Sequence, residues 1–474
     1  MYSIKGIGTI MLLMLGLTTA FSAQESSILL EKAIYTEETL GNLNEAISLY
    51  QEIVRTADAD RSAAALALYR LGMCYRKSGR EDAALATFAD LSSLYPEQKD
   101  IILKSMMLAV KPAPWADGEA LQMGIRSSGA KGYVGSFTYS TESIQNTEKS
   151  AWHLKGAMVG PGNWIYTTTV VDAENQVPIS SLVRVSFMEM DNEIKYTQGE
   201  VEVLSQQNGT ETINRFPMPG IAYEDNQMLH LVRCLPLKEG FRTEIPVFNK
   251  STGSIINYTV TVVALENVTV PAGTFECYKT TIVPEDNTRD RIIWFSADDS
   301  VYPVKVVEGG TSEQELVSIK IVGKNQPVHF EDSELGIGLD TPSSWYFGNA
   351  TMEGLVGFAE PESGSQLILY GWDYKPEDGT VSKIVDKWIE SHMQHYSSYQ
   401  VRPGTRKQLT AGGFTGECFV ADTSHVTTGD AVVEYTHSFI TNEKRYIFVF
   451  QTKKDSFDIM KPEYDSIMSS LTVQ

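Results

Sequence analysis

LALYRLGMCYRKSGREDAALATFADLSSLYP, residues 66 to 96, sets large, small and turn-forming residues at the spacing of two helices folded back on one another. Leu68, Leu71, Gly72 and Tyr75 share one face of the first helix, and Ala84, Phe88 and Leu91 the facing side of the second, with Pro96 placed to end it. Gly72 and Ala84 let the two backbones approach closely, Tyr75 and Phe88 fill the space between them, and Ser78-Gly79-Arg80 supplies the left-handed residue of the turn. Tyr69 and Arg76 fall off these packing positions, so they are the residues expected to meet a partner.

A second copy lies upstream in LLEKAIYTEETLGNLNEAISLYQEIV, where Gly41, Ala46, Tyr50 and Ile53 mirror Gly79, Ala84, Phe88 and Leu91. Only its second helix fits well, and the step from Ala46 to Ala84 is 38 residues. The pattern resembles the tetratricopeptide repeat, whose period is about 34 residues and whose stacks need about three copies to bury a continuous core. That resemblance implies an interaction module with a face for a protein or peptide. With two copies, Asp100 to Val110 is expected to cap the stack, and the helices can serve either as a binding groove or as a lid on the next domain.

Met1 to Ala23 carries one cation, Lys5, then an apolar run from Ile7 to Leu17 and small residues at Ala20, Ser22 and Ala23, the layout of a secretory signal peptide. The run is shorter than the roughly 20 residues that span a bilayer, and no comparable run occurs downstream, so no integral membrane segment is expected after cleavage. Net charge is -21 and the pI about 4.8, without a run of Lys and Arg, which argues against nucleic acid as a partner. Cys74, Cys234, Cys277 and Cys418 do not form a disulfide framework. Whether Cys234 pairs with Cys277 stays open, and Cys74 reads as a small buried hydrophobe.

At about 100 to 200 residues per domain, the remaining chain divides into helical repeats over 24–110, an antiparallel β domain over 111–325 and an α+β sandwich over 326–474. Alternating runs at Trp164 to Val171, Ser181 to Met190, Ile194 to Leu204, Ile256 to Ala264, Ile292 to Ser296 and Val301 to Val307 predict strands without a helix of more than two turns. So large a sheet must curl or pack on another, giving a half-barrel or a sandwich. PWADGEALQM, VVDAENQVPISS, LHLVRCLPLKEG and VTVPAGTFECYKT followed by IWFSADDSVYPVKV resemble a family of secreted bacterial β-proteins of undefined function. By that resemblance the fold is a cupped sheet like those of lipid carriers, although turn chemistry and core packing account for the same residues.

FEDSELGIGLDTPSSWYF opens the last segment. Strands near Leu355 to Phe358 and Gln366 to Trp372 precede a helix from Val381 to about Tyr396, whose apolar stripe is Ile384, Val385, Trp388, Ile389 and Met393. Strands at Gly413 to Ala421, Ala431 to Ile440 and Arg445 to Thr452 and a helix from Glu463 to Leu471 complete it. The layout resembles the fold of the extrinsic subunits of photosystem II, whose relatives mostly bind other proteins.

The sequence holds no G-x-S-x-G elbow, H-E-x-x-H, C-x-x-C, P-loop or dinucleotide fingerprint. His392 and His395 stand three apart on one helix but border its apolar stripe, and Glu37-Glu38 and Asp298-Asp299 lack calcium-loop spacing and read as solvated turns. No catalytic residue, metal site or cofactor is therefore expected. The chain reads as an exported, periplasmic or extracellular, non-enzymatic interaction or scaffold protein of the bacterial envelope. The alternative is a carrier or sensor of an apolar molecule in the β domain, suggested by Phe187, Met188, Met190, Phe216, Met218 and Met228.

Overall fold

A computed structural model describes residues 26–473 except 57–59, 96, 99, 103, 106–109, 128–131, 146–149, 161, 189, 198, 208, 219, 287–289, 311, 351–354, 397 and 425–428. The expected signal peptide over 1–23 and Pro96 lie outside the described residues.

Four helices form two hairpins: α1 (26–38) with α2 (Leu43–Arg55), and α3 (Arg61–Lys77) with α4 (Glu81–Leu94). Gly41 and Gly79 make the two turns with φ of 65° and 73°, a region glycine enters without steric cost. Asp60 caps α3 by accepting from the amides of Ser62 and Ala63. A Cβ on Gly72 would stand 2.4 Å from the Phe88 ring, so this glycine is where α4 touches α3. Leu68, Leu71, Ala84, Phe88 and Leu91 are buried, and Tyr75 is half-buried. Of the expected cap, residues 100–102 and 104–105 are helical (α5), and Val110 is not.

The first hairpin forms in full, although α1 matches the repeat poorly in sequence, and Glu37 shows why. At the 38-residue offset Glu37 occupies the position of Tyr75, and Tyr50 that of Phe88. The aromatic contact is replaced by a hydrogen bond from the Tyr50 hydroxyl to Glu37 (2.7 Å), joined by Lys77 (2.7 Å) and Arg70 (3.2 Å) from α3. Glu37 is buried, so it is not the solvated turn residue its sequence suggests. Burial opposes its charge, but the bonds from Lys77, Tyr50 and Arg70 outweigh burial and hold the carboxyl below its usual 4.5. A depressed folded value means this stabilisation is complete above pH 4.5 and is lost as pH falls through the lower folded value. Glu37→Gln is expected to cost on the order of 2 kcal/mol and to flatten the acid limb of helix unfolding, read by circular dichroism against pH; an unchanged limb would mean that the network is neutral.

The next fourteen strands make one open antiparallel sheet. The first eight are β1 (Glu119–Ser127), β2 (Tyr133–Gln145), β3 (Ser150–Gly160), β4 (Asn163–Asp172), β5 (Pro178–Val185), β6 (Met190–Thr197), β7 (Glu200–Gln207) and β8 (Thr210–Pro217). A short buried helix, α6 (Met228–Arg233), leads to β9 (Arg242–Asn249), β10 (Ser254–Val270), β11 (Gly273–Pro284), β12 (Arg291–Ser296), β13 (Pro303–Glu308) and β14 (Ser312–Ile321). Each strand pairs with its chain neighbour except that β1 pairs with β14, leaving β8 and β9 as edges. The sheet curls until Phe216 of β8 lies on Gly253 and 5.9 Å from the Phe248 ring of β9. Tyr223 pairs in parallel with Val247 across the remaining gap. The architecture is thus a half-barrel and not a two-sheet sandwich.

Two expected strands divide. The run from Ser181 breaks at a single 3-10 turn, Ser186–Met188, so Met190 opens the next strand. The run from Ile194 to Leu204 is a hairpin turned at Gly199, whose φ is 89°. Period-two alternation persists through both because the chain re-enters the same face after reversing.

The C-terminal part has a three-stranded sheet of β15 (Val328–Asp332), β16 (Ile337–Thr341) and β25 (Thr472–Val473). Its larger sheet runs β17 (Tyr346–Ala350), β18 (Leu355–Glu360), β19 (Ser365–Asp373), β24 (Lys444–Lys453), β23 (Ala431–Ile440), β22 (Phe414–Ser424) and β20 (Gln400–Val401), with β21 (Lys407–Ala411) also on β22. Helix α7 (Val381–His395) packs over β22 and β23, and α8 (Phe457–Ser469) lies against β16 and β24. Met393 is exposed, and His392 continues the α7 stripe instead, stacked on Trp388 (4.3 Å) and Tyr396 (5.5 Å). α8 starts six residues before Glu463 and accommodates Pro462 internally.

Candidate functional site

Helices α1 and α3 lie side by side, tied by Arg70 to Glu37 and Glu38. At the 38-residue offset Ile28, Glu31, Tyr35 and Glu38 of α1 correspond to Leu66, Tyr69, Met73 and Arg76 of α3, which defines one surface on the first helices of both hairpins. On α1 this surface is open: Ile28 is 59% and Tyr35 55% exposed, with Leu40 beside the turn. On α3 it is more enclosed. Tyr69 is half-buried with its ring 6.1 Å from Phe88, and the Arg76 guanidinium lies 5.5 Å from the same ring. The sequence-expected contacts Tyr69 and Arg76 therefore converge, but on Phe88, whereas Ile28 and Tyr35 were missed because the α1 match was weak.

The opposite end of the stack is covered. α4 packs on β9, and a single core continues from Tyr50 and Phe88 through Trp115, Leu121 and Met228 to Phe295. The helices are both a repeat stack and a lid on the cup.

Inside the cup three of the quoted motifs meet at Arg233. Trp115 and Glu119 come from the first, His230 and Arg233 from α6, and Ser300 and Tyr302 from the turn before β13. The fully buried Arg233 binds Glu119 through two bonds (2.7 and 3.3 Å) and the Ser300 carbonyl (2.9 Å). Its guanidinium sits 5.2 Å from the Trp115 ring and 5.6 Å from the Tyr302 ring. Val301 has a φ of 49°, costly for a β-branched residue, and it follows the carbonyl that Arg233 holds. His230, packed edge-on to Trp115 (5.3 Å), is pushed down to about 3 by burial and then by Arg233, so it stays neutral. Burial drives the Cys234 and Cys277 thiols up to about 12, far from thiolate chemistry, and both are free thiols.

Met228 points into this core. Met218 and Phe216 belong to a separate cluster by β6 and β9, and Phe187 and Met188 are exposed. The six residues singled out for an apolar ligand are thus not brought together. The Nδ1 atoms of His392 and His395 lie within hydrogen-bond distance of the carbonyls of Trp388 and Ser391, and no group of three metal-ligating side chains occurs among the described residues. Among the described residues no helix is long and apolar enough to cross a membrane.

A second concave region lies where the C-terminal part meets the convex face of the large sheet. β17 packs on β2 and β3, and Tyr346 and Ala359 join Ala157, Val159, Trp164 and Tyr166 in one apolar cluster. Two hollows run along this seam, one of about 1080 Å³ beside Trp164 and Arg184 and one of about 470 Å³ beside Glu142 and Tyr346. Glu142 is held by Lys155 and Lys324, both at 2.7 Å. Burial opposes its charge, but the two lysines outweigh burial and bring the carboxyl down to about 2.

Residues 66–97 match the tetratricopeptide repeat family, and residues 130–311 match a family described as a protein of unknown function (DUF3108). Among solved structures, PsbP (CyanoP) from Synechocystis sp. PCC 6803 is similar at 15% identity and a TM-score of 0.27, over 33% of this chain and 98% of that one. LpqN of Mycobacterium tuberculosis, described as involved in cell envelope biogenesis, is similar at 16% identity and a TM-score of 0.25, over 31% of this chain and 90% of its own. MucB, solved in complex with MucA, is similar at 6% identity and a TM-score of 0.16, over 78% of this chain and 99% of that one. No curated protein matches the chain. None of these structural likenesses assigns a function.

Proposed function

We propose that this chain is an exported, non-catalytic interaction protein of the bacterial envelope, built of parts over 24–110, 111–325 and 326–474. The first helices of its hairpins meet a protein or peptide partner. The observation that carries this reading is the row of Ile28 and Tyr35 left exposed on α1 and continued by Tyr69 and Arg76 on α3. The β sheet takes the α4 side of the stack instead. Large apolar side chains aligned on one helix and rimmed by Glu31 and Glu38 are the composition of a docking face for an amphipathic segment.

The test is a pull-down from the native host. Tyr35→Ala with Tyr69→Ala is expected to remove the specific partners while leaving the melting temperature within about 4 °C of the parent's. An unchanged set of partners with a folded double variant would remove the face from consideration. Export is checked by sequencing the mature N-terminus, expected at Ala23 or Gln24 in the periplasmic or culture fraction; a cytosolic chain still starting at Met1 would refute it.

A further inference from the structure

We propose that the larger hollow of the seam, about 1080 Å³ between the convex sheet and the C-terminal part, is a binding site for a neutral oligosaccharide. One wall carries Gln206 at the end of β7, on the face it shares with Asp191 and Arg184, and the other Gln366 of β19 and Gln451 of β24. Side-chain amides offer a donor and an acceptor from one group, which is what sugar hydroxyls, themselves both donors and acceptors, require. The volume is at the upper end of small-molecule sites, so it suits an extended ligand.

The amides on the C-terminal wall are pre-oriented. Gln366 and Gln451 are cross-strand neighbours, as are Gln451 and Glu434. The Gln366 amide donates to Gln451 (2.5 Å), and the Gln451 amide donates to Glu434 (2.6 Å), whose side chain is buried beneath α7. This row fixes two amides at the cleft before any ligand arrives.

Charge and backbone argue against other occupants. Of the two cations lining the cleft, Arg184 and Lys453, Arg184 is engaged by Asp191 (3.3 Å) and by the carbonyls of Pro361 and Glu362 (both 3.1 Å), and the acids Asp191, Glu362 and Asp430 outnumber them, which disfavours a phosphate. β5, β7, β19 and β24 are all interior strands paired on both sides. A peptide therefore finds no strand edge to extend, and recognition falls to side chains. Trp164 lines the cleft, as do Gly209 and Gly364, whose left-handed turns keep two of its loops small.

The full mature chain would be titrated with chitotetraose, cellotetraose and maltotetraose, and with an uncharged tetrapeptide, by calorimetry. One saccharide is expected to bind with a Kd on the order of 100 µM, weakened about tenfold by Gln206→Ala and by Gln366→Ala. Gln206 is exposed and Gln366 half-buried, and melting curves should match the parent. Silence of all three sugars, binding that ignores both variants, or capture of the tetrapeptide in their place would each overturn the assignment. It stands apart from the helical face, whose partner can be present or absent without changing the titration.

Discussion

Arg233→Met is expected to destabilise the large sheet by about 3 to 5 kcal/mol, because it leaves the enclosed Glu119 carboxyl without its partner. Arg233 has no exposed side chain and Glu119 only 4%, so water cannot take over the lost bonds. Glu119 lies at the first residue of β1 and Arg233 on α6, and the same guanidinium holds the Ser300 carbonyl ahead of β13. One substitution therefore loosens three segments of the cup. Arg233→Lys should rescue little, since an ammonium cannot reproduce the planar two-bonded fork between the Trp115 and Tyr302 rings. The double variant Glu119→Leu with Arg233→Met should recover most of the loss, because removing both charges removes the desolvation cost. Guanidinium unfolding followed by tryptophan fluorescence checks this; if the two single losses simply add, the pair is not the knot described.

Gly348→Ala is expected to part the C-terminal part from the sheet. Its Cβ would fall 1.9 Å from the Val159 carbonyl oxygen, 2.6 Å from the carbonyl carbon and 3.3 Å from the Ser136 amide nitrogen. These are backbone atoms of interior strands β3 and β2, held by neighbours on both sides, so no side chain can swing away. The strain is on the order of 3 kcal/mol, and it is relieved most cheaply by lifting β17 and opening the cluster of Tyr166 and Tyr346. Limited proteolysis should show faster cleavage around Gly323 to Gln326, with both fragments remaining folded, and hydrogen exchange should accelerate in β17 and β3. A variant as resistant as the parent would mean that β17 does not rest on Val159.

The second hairpin was legible in detail. Gly72 and Phe88 are separated by a single turn of chain, and local spacing defines both helices and their contact. The first hairpin was half legible, because Glu37 at an aromatic position reads as a mismatch until Tyr50, Arg70 and Lys77 are seen around it. In the β region, alternation located strands but not the reversals at Ser186 and Gly199, since a hairpin returning to the same face preserves the period. On α7, hydropathy favoured Met393 over His392, and stacking on Trp388 and Tyr396 reversed that order.

The chain's spacing alone determines that it begins with helical hairpins, continues as a long antiparallel meander and ends with mixed helices and strands, because those signals are carried by residues three, four or two apart. Only the tertiary structure decided which surfaces remain open. That Arg233 meets Glu119 from 114 positions away, that Glu37 replaces an aromatic contact, and that glutamines from β7, β19 and β24 face one another across a seam are products of strand order and curl. Those distances depend on how a fourteen-stranded sheet curls and where the next sheet settles against it, and no local pattern encodes either.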